Sequence, residues 1–214
     1  MSRDCDIHPQ NFTIDISGIS SDITTLAWTM SLTTPLVGEF NLRNILCAIG
    51  IGVAHGEMPG CMKNGLEDVK TIPGRLERVG LEKTTAACPA VFIDYAHTPD
   101  ALENVLTALL KLKPKRLDCV FGCGGDRDRG KRVLMGQIAG DLCDVVLATS
   151  DNPRSESPDM ILAQIEEGLC SSGLKKVSAP ETLIRQEGKG YDILVNRHVA
   201  VSTAIRFAKP DDVV

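Results

Sequence analysis

The 214-residue sequence lacks features that would each indicate a class of function. No stretch approaches the roughly 20 apolar residues of a membrane span, and the polar amino terminus cannot contain a signal-peptide core, so we expect a cytoplasmic protein. Basic residues are not in excess. The net charge of -5 argues against a nucleic-acid or anionic-membrane surface, and we expect a monomer whose partners are small molecules.

Cys-x-x-Cys pairs are also absent, although the chain contains eight cysteines and four histidines. Structural zinc sites are commonly built on such pairs. Cys119 and Cys123 are separated by three residues and straddle the end of a predicted strand, which is poor zinc geometry. We therefore expect reduced, mostly buried thiols and no metal site in the chain, with redox and metal roles as the alternatives.

The first third of the chain has its own pattern. Residues 12–37 alternate polar and apolar side chains, which predicts short antiparallel strands. Helices are expected over residues 40–54 and 59–69, although Gly50 and Gly52 weaken the second half of the first helix. A change of composition near residues 71–74 predicts a boundary, with one domain over residues 1–76 and another over residues 77–214.

The second domain alternates strands and helices regularly, which predicts an α/β fold with a doubly wound, mostly parallel sheet. Thr98 and Ser157 each precede a proline and an acidic residue, so both are expected to cap a helix with their hydroxyls. The expected strands cover residues 91–95, 117–121 and 144–149, and the expected helices cover residues 99–112, 132–142, 158–170 and 197–208. Another strand is expected to begin near the last residues.

The tetrad Asp151-Asn152-Pro153-Arg154 directly follows the buried strand at residues 144–149. In an open α/β sheet, ligands bind at the carboxyl ends of the strands. A carboxylate, an amide and a guanidinium at this place can hold a substrate that carries both ammonium and carboxylate groups, while the proline fixes the turn. A capped turn with an exposed arginine is the alternative.

Residues 122–132 combine glycines with four cations after the strand at residues 117–121. Glycines let backbone N–H groups approach an anion, and the start of the following helix adds its dipole. Arg132 stands where a P-loop requires serine or threonine, and the segment is not Gly-x-Gly-x-x-Gly, so we reject the P-loop and find little support for dinucleotide binding. A solvated charged turn is the alternative.

Three further groups are candidates for binding. Asp94 and His97 lie at the carboxyl end of the first strand of the predicted sheet, so both should face the same crevice; a turn residue and a cap partner are the alternatives. Arg75, at the predicted domain junction, could reach a phosphate or form a hinge salt bridge. Asn41 and Asn44, at the start of a helix, could read the edge of a base, or Asn41 could cap the helix.

These motifs occur in the order and spacing of the Mur ligases, and the chain resembles the MurE type of that family. The resemblance is strongest from residue 36 to residue 167. It implies a Rossmann-like C-terminal ligase domain over residues 77–214, preceded by the β/α tail of a central ATPase domain. Five segments carry it: residues 38–44, 73–79, 94–102, 122–132 and 151–154.

The resemblance implies an amide ligation that uses ATP and Mg²⁺ and contributes to peptidoglycan synthesis. ATP phosphorylates the D-glutamate carboxylate of UDP-MurNAc-L-Ala-D-Glu, and the amine of a diamino acid attacks the acyl phosphate. The Asp-Asn-Pro-Arg form resembles that of enzymes that add meso-diaminopimelate. This fits because Arg154 can clamp the second carboxylate, which lysine lacks.

The resemblance also assigns individual residues. Those assigned to meso-diaminopimelate are Arg127, Asp151, Asn152, Pro153 and Arg154. Those assigned to ATP are Asn41, Asn44, Arg75, Asp94 and His97. Of the second set, the candidate catalytic residues are Arg75, Asp94 and His97.

The sequence also departs from the family. The P-loop, the carbamylated lysine, the Mg²⁺ ligands and the UDP-binding domain would precede residue 1, and a Gly-Lys-Gly-His-Glu motif would follow residue 214. We therefore expect a ligase fragment that is inactive alone. Asn196-Arg197-His198 stands where the family usually has Asp-Arg. A lysine-adding or folylpolyglutamate-type ligase and a non-catalytic amino-acid-binding module are the alternatives.

Overall fold

A computed structural model describes residues 6–80, 88–179 and 188–214 of the chain. The contacts between Cα atoms divide it into two units, Met1–Glu77 and Arg78–Val214. None of the helices within the described ranges combines the length and the apolar character needed to cross a membrane.

The first unit contains the expected antiparallel strands, which pair in the order β1-β2-β3. Helix α1 runs through both of its glycines, so the break they suggested does not occur. The elements are β1 (His8–Asp15), β2 (Gly18–Thr24), β3 (Thr29–Thr34), α1 (Glu39–Ala54) and α2 (Pro59–Asp68). Alternate β2 and β3 side chains pack on α1 in a core formed by Ile19, Ile23, Met30, Leu32, Leu36, Leu42, Ile45 and Ile49.

The second unit alternates strands and helices, as the sequence predicts. Its helices are α3 (Pro99–Leu110), α4 (Gly130–Leu142), α5 (Pro158–Ser171) and α6 (Arg197–Phe207). Its longer strands are β6 (Arg116–Phe121), β7 (Val145–Ala148) and β8 (Gly190–Ile193). The shorter strands are β4 (Glu77–Arg78), which lies at the boundary between the units, β5 (Phe92–Ile93) and β9 (Asp212–Val213).

The main sheet is parallel and has the strand order β8-β7-β6-β9. The chain around β5 extends it beyond β9, because Ala90 bridges Val213 in parallel and the Phe92 N–H donates to the Val214 carbonyl at 2.8 Å. All these segments run in one direction. Their carboxyl ends therefore meet at one edge of the sheet, where polar loops follow β5, β6, β7 and β8.

Helices α4 and α5 pack with their backbones nearly touching. A Cβ atom on Gly136 would lie 2.2 Å from the Ile165 carbonyl oxygen, and one on Gly168 would lie 2.0 Å from that of Val133. Such distances leave no space for any side chain other than hydrogen. The first turn of α4 lies against α5, since the Arg132 guanidinium donates to the Gln164 amide oxygen at 2.8 Å.

Some local predictions were wrong. The expected strand over residues 91–95 is only two residues long, and β8 was not predicted. Thr98 caps α3 as expected, since its hydroxyl accepts from the Ala101 N–H at 3.3 Å. The Ser157 hydroxyl makes no capping bond; its backbone carbonyl instead accepts from the N–H groups of Met160 and Ile161.

Asn196 caps α6, because its side-chain oxygen accepts from the Val199 N–H at 3.2 Å. Asparagine and aspartate are about equally good N-caps. The departure from Asp-Arg noted in the sequence therefore retains the cap of this helix.

The cysteines follow the expectation only in part. All those within the described residues are free thiols, whereas Cys5 lies outside them. Three are buried, namely Cys119, Cys123 and Cys143. The expectation of mostly buried thiols was wrong, since the other four are exposed: Cys47, Cys61, Cys88 and Cys170.

Candidate functional site

A pocket of about 170 Å³ opens at the carboxyl edge of the parallel sheet. It brings together three residues singled out in the sequence, Asp94, His97 and Asp151. The strand arrangement explains this, because these residues follow β5 and β7 at the same edge. The remaining lining residues are Tyr95, Ala96, Val120, Phe121, Gly122, Cys123, Gly124, Lys131, Met135 and Arg197.

Charges of both signs surround this pocket. The Arg197 guanidinium lies 3.5 Å from a carboxylate oxygen of Asp151, and both side chains are about half exposed. The Lys131 ammonium donates to the His97 carbonyl at 2.8 Å. Because both carboxylates and cations line the pocket, it can accept a ligand that carries both ammonium and carboxylate groups.

The His97 ring is fixed by its neighbour Tyr95. Its Nδ1 atom donates to the Tyr95 carbonyl at 3.0 Å, and the two ring centroids lie 5.2 Å apart. The proton on Nδ1 leaves Nε2 as the acceptor in the neutral ring.

The Cys123 thiol lines the same pocket but is buried. Burial raises its pKa to about 11, although Lys131 and Arg132 act in the opposite direction. The thiol is therefore protonated at neutral pH. It serves as an apolar wall and not as a nucleophile, since the thiolate is the reactive form.

Two neighbouring loops are bonded tightly to each other. We name residues 122–129 the glycine-rich loop and residues 151–157 the DNPR loop. The Gly125 N–H donates to the Asn152 carbonyl at 2.9 Å, and the Arg154 guanidinium donates to the Gly125 carbonyl at 2.7 Å. The Ser155 hydroxyl donates to the Asp126 carboxylate at 2.7 Å. The two loops thus form one continuous surface beside the pocket.

The glycines permit this close approach. A Cβ atom on Gly125 would lie 1.9 Å from the Pro153 carbonyl oxygen, and one on Gly122 would lie 2.2 Å from that of Thr149. Both distances are shorter than any side chain tolerates. The glycines are required because another backbone occupies the space of a side chain.

The expectation that these glycines expose N–H groups to an anion was wrong for three of the groups. The N–H groups of Gly125, Asp126 and Gly130 already donate to protein oxygens, on Asn152, Glu156 and Asp128 respectively. A satisfied donor offers little to a ligand.

Hydrogen bonds from the Ser155 hydroxyl and N–H lower the pKa of the Asp126 carboxyl group, which therefore stays ionised and binds the DNPR loop.

The structure separates the predicted diaminopimelate residues into two groups. Asp151 lines the pocket, whereas Arg127, Asn152, Pro153 and Arg154 lie on the adjoining loops. Arg154 adopts a left-handed backbone conformation with φ of 50°, and its guanidinium reaches back over the glycine-rich loop. Arg127 and Asn152 are exposed.

The remaining candidates belong to the first unit. Asn44 and Arg75 are exposed, whereas Asn41 is buried and donates from its amide to the Val37 carbonyl at 2.8 Å. The alternative that Asn41 caps α1 was wrong, because Gly38 occupies the N-cap position. No ion pair to Arg75 occurs between residues that the structure describes, so the hinge salt bridge is absent from that part of the chain.

Three residues in or beside the site were not predicted from the sequence, namely Arg132, Glu156 and Arg197. Arg197 reaches the pocket from the start of α6, and it was overlooked because β8 was not recognised as a strand. Arg132 was counted among the four cations of residues 122–132, but it is fully buried and pairs with Glu156. Of those four cations only Lys131 lines the pocket. Glu156, two residues after the DNPR tetrad, was the sequence signal that could have indicated an acidic partner for Arg132.

Comparison with known proteins identifies relatives of this chain. Residues 74–214 match the family model described as Mur ligase, glutamate ligase domain. A protein of Geobacter metallireducens is 42% identical over 97% of the chain, and one of Thermosynechococcus vestitus is 42% identical over 99%. Both are named UDP-N-acetylmuramoyl-L-alanyl-D-glutamate--2,6-diaminopimelate ligase. The chain spans about 40% of the length of each.

Solved structures show the same relationship. A ligase structure of that name is 29% identical, covers the whole chain and has a TM-score of 0.65, while the chain covers 40% of it. The folylpolyglutamate synthase of Mycobacterium tuberculosis covers 99% of the chain with a TM-score of 0.66, but it is only 20% identical and shows the shared fold alone. The chain belongs to the Mur ligase family and has the fold of its C-terminal domain.

Proposed function

We propose that this chain supplies the diamino-acid site of an ATP-dependent ligase that adds meso-diaminopimelate to UDP-MurNAc-L-Ala-D-Glu through an acyl phosphate. The names of the relatives at about 42% identity support the reaction. The observation that carries the proposal is that Asp151 lines the pocket while Arg154 lies on the adjoining loop. We further propose a cytoplasmic location and small-molecule partners only.

The chemistry of meso-diaminopimelate suits these two residues. It carries two amino-acid ends, so one ammonium group can be held by a carboxylate and the distal carboxylate by a guanidinium. Arg154 uses one nitrogen on the Gly125 carbonyl, and its planar fork has further donors for a ligand. Arg127 and Asn152, both exposed beside it, are proposed to contact the same end, while Pro153 fixes the turn.

ATP is proposed to lie at the His97 side of the pocket. Asp94 and His97 belong to the pocket, and Lys131 provides a cation there. The assignments of Asn44 and Arg75 to ATP concern the first unit and rest on the resemblance alone; both side chains are exposed. Asn41 is buried and is proposed to fix the backbone at Val37. Mg²⁺ would accompany the phosphates of ATP; we assign it no ligand in this chain.

Calorimetric titration of the 214-residue chain tests the diamino-acid site. We expect meso-diaminopimelate to bind at least about tenfold more tightly than L-lysine, because only the former has the carboxylate that Arg154 clamps. Arg154→Lys should remove most of this difference, because lysine cannot bind bidentately. Arg43→Lys, on the exposed face of α1, is the matched control and should retain the difference.

The other outcomes are informative. Tighter binding of L-lysine would contradict the proposal and favour a lysine-adding ligase. No binding of either amino acid would contradict the assignment of the site. Binding of meso-diaminopimelate that is unchanged in Arg154→Lys would show that the selector lies elsewhere in the pocket.

A further inference from the structure

Arg132 is the largest side chain that is fully buried in the described residues. It lies in the first turn of α4, one residue after Lys131. A buried guanidinium is costly unless its donors are paired. Arg132 donates to both carboxylate oxygens of Glu156 at 2.8 and 3.0 Å, to the Gln164 amide oxygen at 2.8 Å and to the Gly124 carbonyl at 3.2 Å.

Glu156 is the centre of this network. Besides the two bonds from Arg132, it accepts from the Asp126 N–H at 2.6 Å, and the exposed Arg129 lies 3.4 Å away. The hydrogen bonds from Arg132, and then the one from the Asp126 N–H, lower the pKa of Glu156 to about 2. The carboxylate is therefore ionised at neutral pH.

This ion pair holds the glycine-rich loop on both sides of Gly125. Arg132 binds the Gly124 carbonyl, and Glu156 binds the Asp126 N–H. Gly125 itself is the residue that bonds the DNPR loop, through the Asn152 carbonyl and the Arg154 guanidinium. The position of Arg154 is therefore determined by a peptide segment whose two flanks are fixed by the buried pair.

We propose that Arg132 and Glu156 are positioning residues for the diamino-acid site. They do not touch the ligand. They hold the glycine-rich loop so that Arg154 faces the distal carboxylate of meso-diaminopimelate. The inference rests on the proposed function, but its structural half, the docking of the two loops, can be measured without any ligand.

A double variant that lacks both charges of the pair distinguishes a role in positioning Arg154 from a role in stabilising the fold. Removing one partner of a buried ion pair leaves an uncompensated charge, whereas replacing both by apolar side chains is often neutral or stabilising. The variant Arg132→Met/Glu156→Leu should therefore melt within a few degrees of the wild type. If the pair served stability alone, this variant would also bind meso-diaminopimelate normally.

We expect the double variant to bind meso-diaminopimelate about tenfold more weakly or worse in calorimetry, because displacement of one charged donor is worth about that factor. Its affinity for L-lysine should change by less than about twofold, since lysine lacks the carboxylate that Arg154 clamps. Arg129→Met is the matched control, because it removes an exposed cation from the same glutamate and should leave both affinities unchanged.

Amide hydrogen exchange provides the ligand-free test. The N–H groups of Gly125 and Ser155 bond the other loop without involving Arg132 or Glu156. Both should exchange about tenfold faster in the double variant if the pair holds the loops together, whereas amides in β7 should be unaffected.

The exchange and affinity measurements test the positioning role and the proposed function separately. Unchanged exchange together with meso-diaminopimelate affinity within about twofold of the wild type would overturn the inference. Failure of the wild type to bind either amino acid would contradict the proposed function, yet faster exchange would still support the docking role. If the double variant does not fold, Arg132→Lys decides on the same measurements, because it keeps the positive charge beside Glu156 but lacks the planar fork that reaches both Glu156 and the Gly124 carbonyl.

Discussion

Replacing Gly124 by alanine perturbs Arg154 without touching the backbone of the site. The new Cβ atom would lie 2.9 Å from an Arg154 guanidinium nitrogen, closer than real contacts of this kind. Gly124 does not have a positive φ, so alanine fits its backbone conformation. The flexible guanidinium must therefore move, and its 2.7 Å bond to the Gly125 carbonyl is lost.

The expected magnitudes follow from that displacement. The lost hydrogen bond is partly buried and joins two loops, so its loss should reduce the free energy of unfolding by about 1 kcal/mol. The affinity for meso-diaminopimelate should fall about tenfold to a hundredfold, because a misplacement of about 1 Å spoils a bidentate contact. Calorimetry with meso-diaminopimelate and L-lysine, and urea unfolding of the same samples, measure both quantities.

Gly125→Ala is the contrasting substitution. Its Cβ atom would lie 1.9 Å from the backbone oxygen of Pro153, which cannot rotate away. Both stability and affinity should then fall, the former by about 2 kcal/mol or more. The reasoning would be refuted if Gly124→Ala retained the full preference for meso-diaminopimelate, or if the two variants behaved alike.

Two further predictions concern the stability of the second unit. Burial raises the pKa of Asp118 to about 6 from 3.8, against the opposing bond from Arg116, so its protonated form favours folding. The stability that protonated Asp118 contributes is complete below about pH 4 and is lost as the pH rises through 6. Asp118→Asn should remove about 3 kcal/mol of this pH dependence of the free energy of unfolding, measured with urea. Parallel curves of unfolding free energy against pH for the wild type and the variant would contradict this. Gly136→Ala places a Cβ atom 2.2 Å from the Ile165 carbonyl oxygen and should lower the free energy of unfolding by about 2 kcal/mol or more. Gly65→Ala in α2 has free space around it and should raise that free energy by about 0.5–1 kcal/mol. Equal effects of the two substitutions in urea unfolding would contradict the argument from close packing.

The sequence predicted those parts of the fold that depend on local pattern. The helices of the second unit were found because apolar periodicity is readable within each segment, and Thr98 marked the start of α3 through its own hydroxyl. Strand β8 was missed because Gly190–Ile193 is short and contains both glycine and aspartate. The Ser157 cap was mispredicted because a backbone carbonyl served the same N–H groups.

The site could be predicted only as a set of loops at one edge of the sheet. Asp94, His97 and Asp151 meet in the pocket because parallel strands end together, which is a topological rule. The pairing of Arg132 with Glu156 spans 24 positions and depends on how α4 packs on α5, which no local pattern encodes. Arg132 was therefore counted among the cations of a predicted anion-binding segment, although its side chain is fully buried.

A crystal structure of the chain with meso-diaminopimelate tests the central claim most directly. We predict that both oxygens of the distal carboxylate lie about 3 Å from Arg154 guanidinium nitrogens. The glycine-rich loop and the DNPR loop should remain hydrogen-bonded to each other through Gly125 and Asn152. A distal carboxylate bound instead by Arg197 and Lys131, with Arg154 contacting only the Gly125 carbonyl, would contradict the account.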